Sequence, residues 1–245
     1  MLVGQMDRLI AALEGRLPSM PTLSAEKIHT LLISTKDFRP LLDVPSLRKA
    51  AEKCDQVCVN LTITGLGGTL IEPRVPTMKV MLDRIRELVD FVGDPRRITW
   101  CYSPILSWNG ISNMSVEMFS SIAEKMSLIG VSRIMAVFFQ TYSHKRITPD
   151  NVDPEVKLRF AEEIDNIAGK LGFTVSVCKY GRLHRLKCVD MDYFVDVHPT
   201  KDGSIIGHYR SFPPPKGHCR DVIWDIGWYK PVCGHGCLYC YGLSK

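Results

Sequence analysis

Apolar residues in this chain recur with two different periods, and the periods alternate along most of its length. Short β-rich runs, Ile28 to Ile33, Val57 to Ile63, Ile98 to Tyr102, Ile134 to Phe139 and Phe173 to Cys178, are separated by stretches with helical spacing. Met78, Met81, Leu82, Ile85, Leu88 and Val89 mark one helix over Pro76 to Val92, and Pro45 to Lys53 reads as another. Ser115 caps a helix to Leu128, and Asp153 with Pro154 opens one that runs to Leu171. Leu2, Met6, Leu9, Ile10 and Leu13 place a helix at residues 2–15, closed by Gly15 and Pro18. Strands that are almost continuously apolar, each followed by a helix, predict a parallel sheet covered by helices, hence an α/β fold. In such folds the chemistry sits on loops at the C-terminal ends of the strands. Those ends here are Thr35-Lys36, Thr64 to Glu72, Tyr102-Ser103-Pro104 and Gln140-Thr141-Tyr142. Pro104 is expected to stop the third strand.

The texture changes after Cys178. Residues 179–220 are rich in His, Gly, Pro and Lys and read as a mostly irregular segment. Asp221 to Trp228 then reads as one more strand, leading into Cys233-Gly-His-Gly-Cys237-Leu-Tyr-Cys240. The expected organisation is a strand–helix core at 1–178, an irregular cysteine-containing segment at 179–220, and a final strand and loop at 221–245 that complete the same domain.

With 245 residues the chain can bury a large core without disulfides. Its nine cysteines are odd in number and follow no export signal, so thiols acting as ligands or packing are expected, in the cytoplasm. No apolar run reaches the ~18 residues of a membrane span. The net charge of +5 is spread along the chain. Its densest stretch, Lys179 to Lys187 with Arg182, His184 and Arg185, reads first as a solvated loop and second as a nucleic-acid contact.

Cys233, Cys237 and Cys240 supply three thiolates on one short loop, which Gly234 and Gly236 allow to curl. A structural zinc site takes four ligands, and Cys219 or His235 is the candidate fourth. A [4Fe–4S] cluster held by three cysteines keeps one iron open. Cys178, Cys188 and Cys219 form a second, widely spaced candidate group for an auxiliary cluster or zinc ion.

This spacing, with an aromatic residue (Tyr239) just before the last cysteine, resembles the motif of the radical S-adenosylmethionine superfamily. The order Leu32 to Lys36, Leu61 to Gly65, Ile71 to Pro76 and Ser103-Pro104-Ile105 resembles spore photoproduct lyase-like radical enzymes. It is closer still to a bacterial and archaeal domain family of unknown function, over roughly residues 20–242. Members of that family end in a strand like Asp225-Ile226-Gly227 and the three-cysteine loop. The resemblance implies a partial (β/α)6 barrel, circularly permuted so that the first strand and cluster loop stand at the C-terminus. It implies a [4Fe–4S] cluster on Cys233, Cys237 and Cys240, with S-adenosylmethionine cleaved to a 5′-deoxyadenosyl radical. By the same resemblance Tyr239 lines the adenine, and Lys36 and Glu72 approach the cofactor; Thr62 and Thr64, on one face of their strand, are candidates to bond its ribose or methionine. Cys101 or Tyr102, only one of which faces inward, is the candidate hydrogen-atom donor. An electron donor such as flavodoxin or ferredoxin is implied as partner, and the substrate is open, damaged nucleic acid included. Relatives usually carry a Ser- and Arg-rich segment before the first helix, which this chain lacks, so a shortened form is expected. The alternative is a non-catalytic module in which zinc or a closed cluster staples the C-terminus.

Overall fold

A computed structural model of the chain describes residues 5–140, 146–183, 185–209, 221, 225–226 and 233–240. The β-rich runs form strands β1 (Leu31–Thr35), β2 (Val57–Thr62) and β3 (Ile98–Ile105). A hairpin of β4 (Ser107–Trp108) and β5 (Ile111–Ser112) follows, then β6 (Arg133–Phe138) and β7 (Thr174–Val177). The five long strands make one parallel sheet in the order β1-β2-β3-β6-β7. Each strand lies beside the one before it, so their C-terminal ends share one edge. Among the described residues β1 and β7 do not pair, and the sheet is open.

The helices are α1 (Met6–Leu13), α2 (Arg39–Asp43), α3 (Pro45–Ala51), α4 (Met78–Asp83), α5 (Ile85–Val92), α6 (Val116–Leu128) and α7 (Pro154–Lys170). Ser115 caps α6 by accepting from the Met118 amide, and Asp153 caps α7 by accepting from the Glu155 amide. Alternate strand residues, among them Val59, Leu61, Ile98, Trp100, Tyr102 and Ile134, bury their side chains in a core shared with these helices. Trp100 stacks on Phe119 of α6 at 5.0 Å, and Tyr102 meets the same ring edge-on at 5.3 Å.

Two sequence expectations change. The single helix over Pro76 to Val92 is two, because Arg84 leaves helical geometry and holds Asp43 of α2 through two bonds of 2.8 Å. Pro104 does not stop β3: pairing to β6 shifts register between Tyr102 and Ile105, and the proline, lacking an N–H, sits in that irregularity. The segment after residue 178, expected to be mostly irregular, holds two short helices where it is described. These are α8 (Met191–Asp196) and α9 (Ser204–Tyr209). Asp190 caps α8 through the Tyr193 amide, and Phe194 and Val197 pack on Cys58 of β2. The strand expected over Asp221 to Trp228 lies mostly outside the described residues, although the Ile226 carbonyl accepts from Arg8 of α1 at 2.7 Å.

No helix among the described residues is long and apolar enough to cross a membrane. No disulfide links the described cysteines.

Candidate functional site: the C-terminal strand edge and the cysteine loop

The face of the sheet turned away from α3, α5, α6 and α7 is not the wholly apolar surface expected of a doubly covered parallel sheet. Parity and register put Asn60, Thr62, Thr99, Cys101 and Ser176 on it. Its lower part is covered by Val189, Phe194 and Val197. Its upper edge meets the loops that follow β1 and β2 and the cysteine loop.

Beyond β1, the Thr35 hydroxyl closes a turn by donating to the Asp37 carbonyl at 2.7 Å and accepting from the Asp37 amide at 3.0 Å. Lys36, at the apex, keeps the parity of Leu32 and Ser34 and falls on the polar face. After β2 the chain curls back on itself. Gly67 lies so close to the following segment that a Cβ there would stand 2.1 Å from the Pro76 oxygen, and the Gly68 amide donates to the Glu72 carbonyl at 3.0 Å. This return brings the Glu72 carboxylate, with no exposed surface, beneath Lys36. Its Oε1 accepts from Lys36 Nζ at 2.9 Å, and the Thr64 hydroxyl stands 3.0 Å from both oxygens. The Tyr239 hydroxyl also donates to Oε1, and Lys36 Nζ lies 5.6 Å from the centre of the Tyr239 ring. Burial and the adjoining Glu72 carboxylate push the Tyr239 phenol well above its ordinary pKa, which keeps it a proton donor.

Four residues singled out separately in the sequence, Lys36, Thr64, Glu72 and Tyr239, therefore meet. Thr62 lies on the same face of β2, opposite Cys101 in register. Of the two candidate hydrogen donors, Cys101 is on the site side. Its thiol is pushed up to about 12 by burial, opposed by the field of Lys36. Tyr102 belongs to the helix-covered layer, where its hydroxyl donates to the Asn113 carbonyl at 2.5 Å.

The cysteine loop is pinned by its backbone. The Arg74 amide donates to the His235 carbonyl at 3.3 Å, Leu238 to Ile71 at 3.0 Å, and Arg146 to Leu238 at 3.2 Å. His235 Nδ1 donates to the Arg74 carbonyl at 3.2 Å, and its buried Nε2 has no partner among the described residues. Gly236 has φ +67°, the left-handed conformation that glycine supplies at least cost. Cys237 is buried with Leu66, Ile71, Val75, Leu106, Ile147 and Tyr239. Burial pushes its thiol up to about 12; Lys36 opposes this, while Glu72 and Cys240 add to it. Cys233 and Cys240 are half-buried. The donor set is chemically right for iron and sulfide: three soft thiols on one turn, with the middle one in an apolar shell. Among the described residues no three His, Cys, Asp or Glu side chains gather tightly enough to hold a single metal ion. The cysteines of a cubane bind different irons and so stand further apart than the ligands of one ion.

Of the auxiliary group, Cys219 lies outside the described residues. Cys178 follows β7, and the Cys188 carbonyl accepts from Asn60 at 3.4 Å. The basic stretch 179–187 is largely neutralised: Arg182 pairs with Glu162, Arg185 with Asp165 and Lys187 with Asp221, while His184 lies outside the described residues.

Sequence reasoning missed Asn113. Fully buried, it donates to the Thr64 carbonyl at 3.2 Å and the Pro104 carbonyl at 2.9 Å, and accepts from the Leu106 amide at 2.8 Å. It thus fastens the end of β2 to the end of β3. An asparagine near Asn109-Gly110 looks like a turn residue, and nothing local marks it as a bracket between strands.

A family model described as a domain of unknown function, DUF1848, matches residues 11–242. The chain belongs to this family. The DUF1848 match runs from α1 to the cysteine loop, so β1, the 64–76 return and residues 233–240 all lie inside the family domain. No curated protein and no solved structure gives a significant match to this DUF1848 chain.

Proposed function

We propose that this DUF1848 protein is a radical S-adenosylmethionine enzyme on a partial (β/α)6-type scaffold, permuted so that the first strand and the cluster loop come last. The observation that carries the reading is the bond from Tyr239, inside the three-cysteine loop, to the buried Glu72 that also holds Lys36 and Thr64. The open parallel sheet and its polar inner face support it.

Cys233, Cys237 and Cys240 would hold the cluster. Such a cluster, with S-adenosylmethionine bound, would supply reductive cleavage of the sulfonium and so a carbon radical for hydrogen abstraction. Lys36 retains donors beyond the one given to Glu72, enough to meet a carboxylate. Thr62 and Thr64 present hydroxyls on the same face, and Tyr239 offers its ring to an adenine. Cys101 stays a thiol at neutral pH, the form that can give up a hydrogen atom. The apolar shell of Leu66, Ile71, Val75 and Leu106 keeps water from Cys237. The substrate class is open and includes damaged nucleic acid. A flavodoxin or ferredoxin would deliver the electron, in the cytoplasm. An auxiliary cluster or zinc ion at Cys178, Cys188 and Cys219 is a further element of the proposal.

The close backbone pinning of the loop suits a second reading, a structural zinc or closed-cluster staple without catalysis. Anaerobic reconstitution separates the two. The proposal expects brown protein with about four irons per chain, and a Cys237→Ala variant that binds none while Cys54→Ala stays loaded. Colourless protein with stoichiometric zinc would sink it.

A further inference from the structure

The hydrogen-bonded ladders of the sheet end before the candidate site begins. Pairing of β2 with β3 stops at Thr62 and Cys101, and pairing of β3 with β6 loses register between Tyr102 and Ile105. Thr64, whose hydroxyl donates to the Glu72 carboxylate, lies past the last rung, so strand pairing does not set its position. Asn113 does. Its side-chain amide donates to the Thr64 carbonyl at 3.2 Å and to the Pro104 carbonyl at 2.9 Å. Its Oδ1 accepts from the Leu106 amide at 2.8 Å, its own amide donates to the Leu106 carbonyl at 3.2 Å, and its carbonyl accepts from the Tyr102 hydroxyl. Every polar atom of this fully buried residue is used. A carboxylate in its place would face two carbonyl oxygens with no proton to give. The neighbours of Thr64 are held from the same side. The Trp100 indole donates to the Ile63 carbonyl at 2.9 Å, and Met118 Sδ of α6 stands 2.1 Å from where a side chain at Gly65 would begin.

We propose that Asn113 is a positioning residue of the cofactor site: it holds Thr64 at the height that sets Glu72, and Glu72 in turn fixes Lys36 and Tyr239. This rests on the radical-enzyme reading above and extends it to a residue whose side-chain bonds all go to backbone. The line of contact is continuous, from Asn113 to the Thr64 carbonyl, from the Thr64 hydroxyl to Glu72, and from Glu72 to Lys36 and Tyr239. Thr64 Oγ also accepts from the Leu66 amide at 3.1 Å, so a shift of Thr64 moves the start of the 64–76 return with it. Groups that meet a cofactor must be held within fractions of an ångström by the shell behind them, and loosening that shell weakens binding before it undoes the fold.

The test compares wild type with Asn113→Asp, Thr64→Val, the two combined, and Ile164→Ala, a buried position of α7 that controls for lost stability. Hydrogen exchange of the full chain before iron is added reads the placement of Thr64. Asn113→Asp should speed exchange of the Leu66 amide about tenfold, and Ile164→Ala should not single that amide out. After anaerobic reconstitution, titration followed by electron paramagnetic resonance reads the affinity for S-adenosylmethionine. At equal iron content Asn113→Asp should bind it about tenfold more weakly than wild type, and Ile164→Ala as tightly. The combined variant should bind no more weakly than Thr64→Val alone, because Asn113 acts through Thr64. Asn113→Ser, which brings no charge into the core, repeats the comparison if the Asp variant does not fold. Unchanged Leu66 exchange overturns the proposal whatever the iron content. So do additive losses of affinity in the combined variant, which make Asn113 a structural brace alone, and so does an equal loss in Ile164→Ala. Wild type that takes up no iron overturns the radical-enzyme reading and with it the cofactor role of Asn113, and the exchange measurement tells that failure from a misplaced Asn113.

Discussion

The two faces of the central sheet are built on opposite principles. Toward the helices, Trp100, Tyr102 and Phe119 form a dry aromatic layer with one polar handle each for the indole and the phenol, Trp100 to the Ile63 carbonyl and Tyr102 to Asn113. Toward the cysteine loop, the same strands present Asn60, Thr62 and Cys101, and the buried charge of Glu72 is held by three donors. The first face is stabilised by removal of apolar area from water. The second costs desolvation of a carboxylate and an ammonium, and an ion pair so placed contributes little net stability against an apolar replacement. Under the proposed function that cost is offset by the cofactor the edge would bind.

The sharpest way to break this comparison is to weigh the faces against each other. Trp100→Ala opens a cavity in the packed layer and should cost ~3–5 kcal/mol in denaturant unfolding, with iron uptake by the folded protein retained. Glu72→Ala should cost less, ~2–3 kcal/mol, since Lys36 is partly exposed and can turn to water, and yet it should impair cluster assembly more than Trp100→Ala does. A larger stability loss at Glu72 than at Trp100 would reverse the division. Tyr239→Phe removes one hydrogen bond and should cost about 1 kcal/mol, read from the shift in denaturation midpoint.

The smallest expected effect is one of pH and lies at the foot of the sheet. His198 stacks on His29 with ring centres 4.1 Å apart, faced also by Asp55, Asp202 and Arg97. Burial, then His29, holds its pKa below the ordinary value. The unfolded chain therefore takes up the proton first. The contribution of His198 is complete above about pH 6.5 and is lost as pH falls below that toward the depressed folded value. Thermal melts should show a shallower loss of stability from about pH 7 to about pH 5 in His198→Asn than in wild type. Identical slopes would mean that His198 titrates alike in both states.

How legible these faces were in the sequence follows from the range of the interactions that make them. Ser115 and Asp153 act within three residues, and the helices they cap stand where local pattern put them. Arg84 breaks the 76–92 helix through Asp43, 41 residues away, and no local signal reports that. Parity on β3 said that Cys101 and Tyr102 face opposite ways. The aromatic neighbours at Trp100 and Phe119 decide which, and that needs α6 in place. The candidate site was legible as separate residues and not as a constellation. Lys36 and Glu72 are 36 residues apart, Glu72 and Tyr239 167 apart, and only the curl at Gly67 and the return of the chain end join them.

The central claim is tested most directly by electron paramagnetic resonance of the anaerobically reconstituted, reduced protein with and without S-adenosylmethionine. The account predicts a reduced-cluster signal that shifts when the cofactor is added, because one iron is open to it. A signal indifferent to the cofactor, or no iron signal at all, would contradict it.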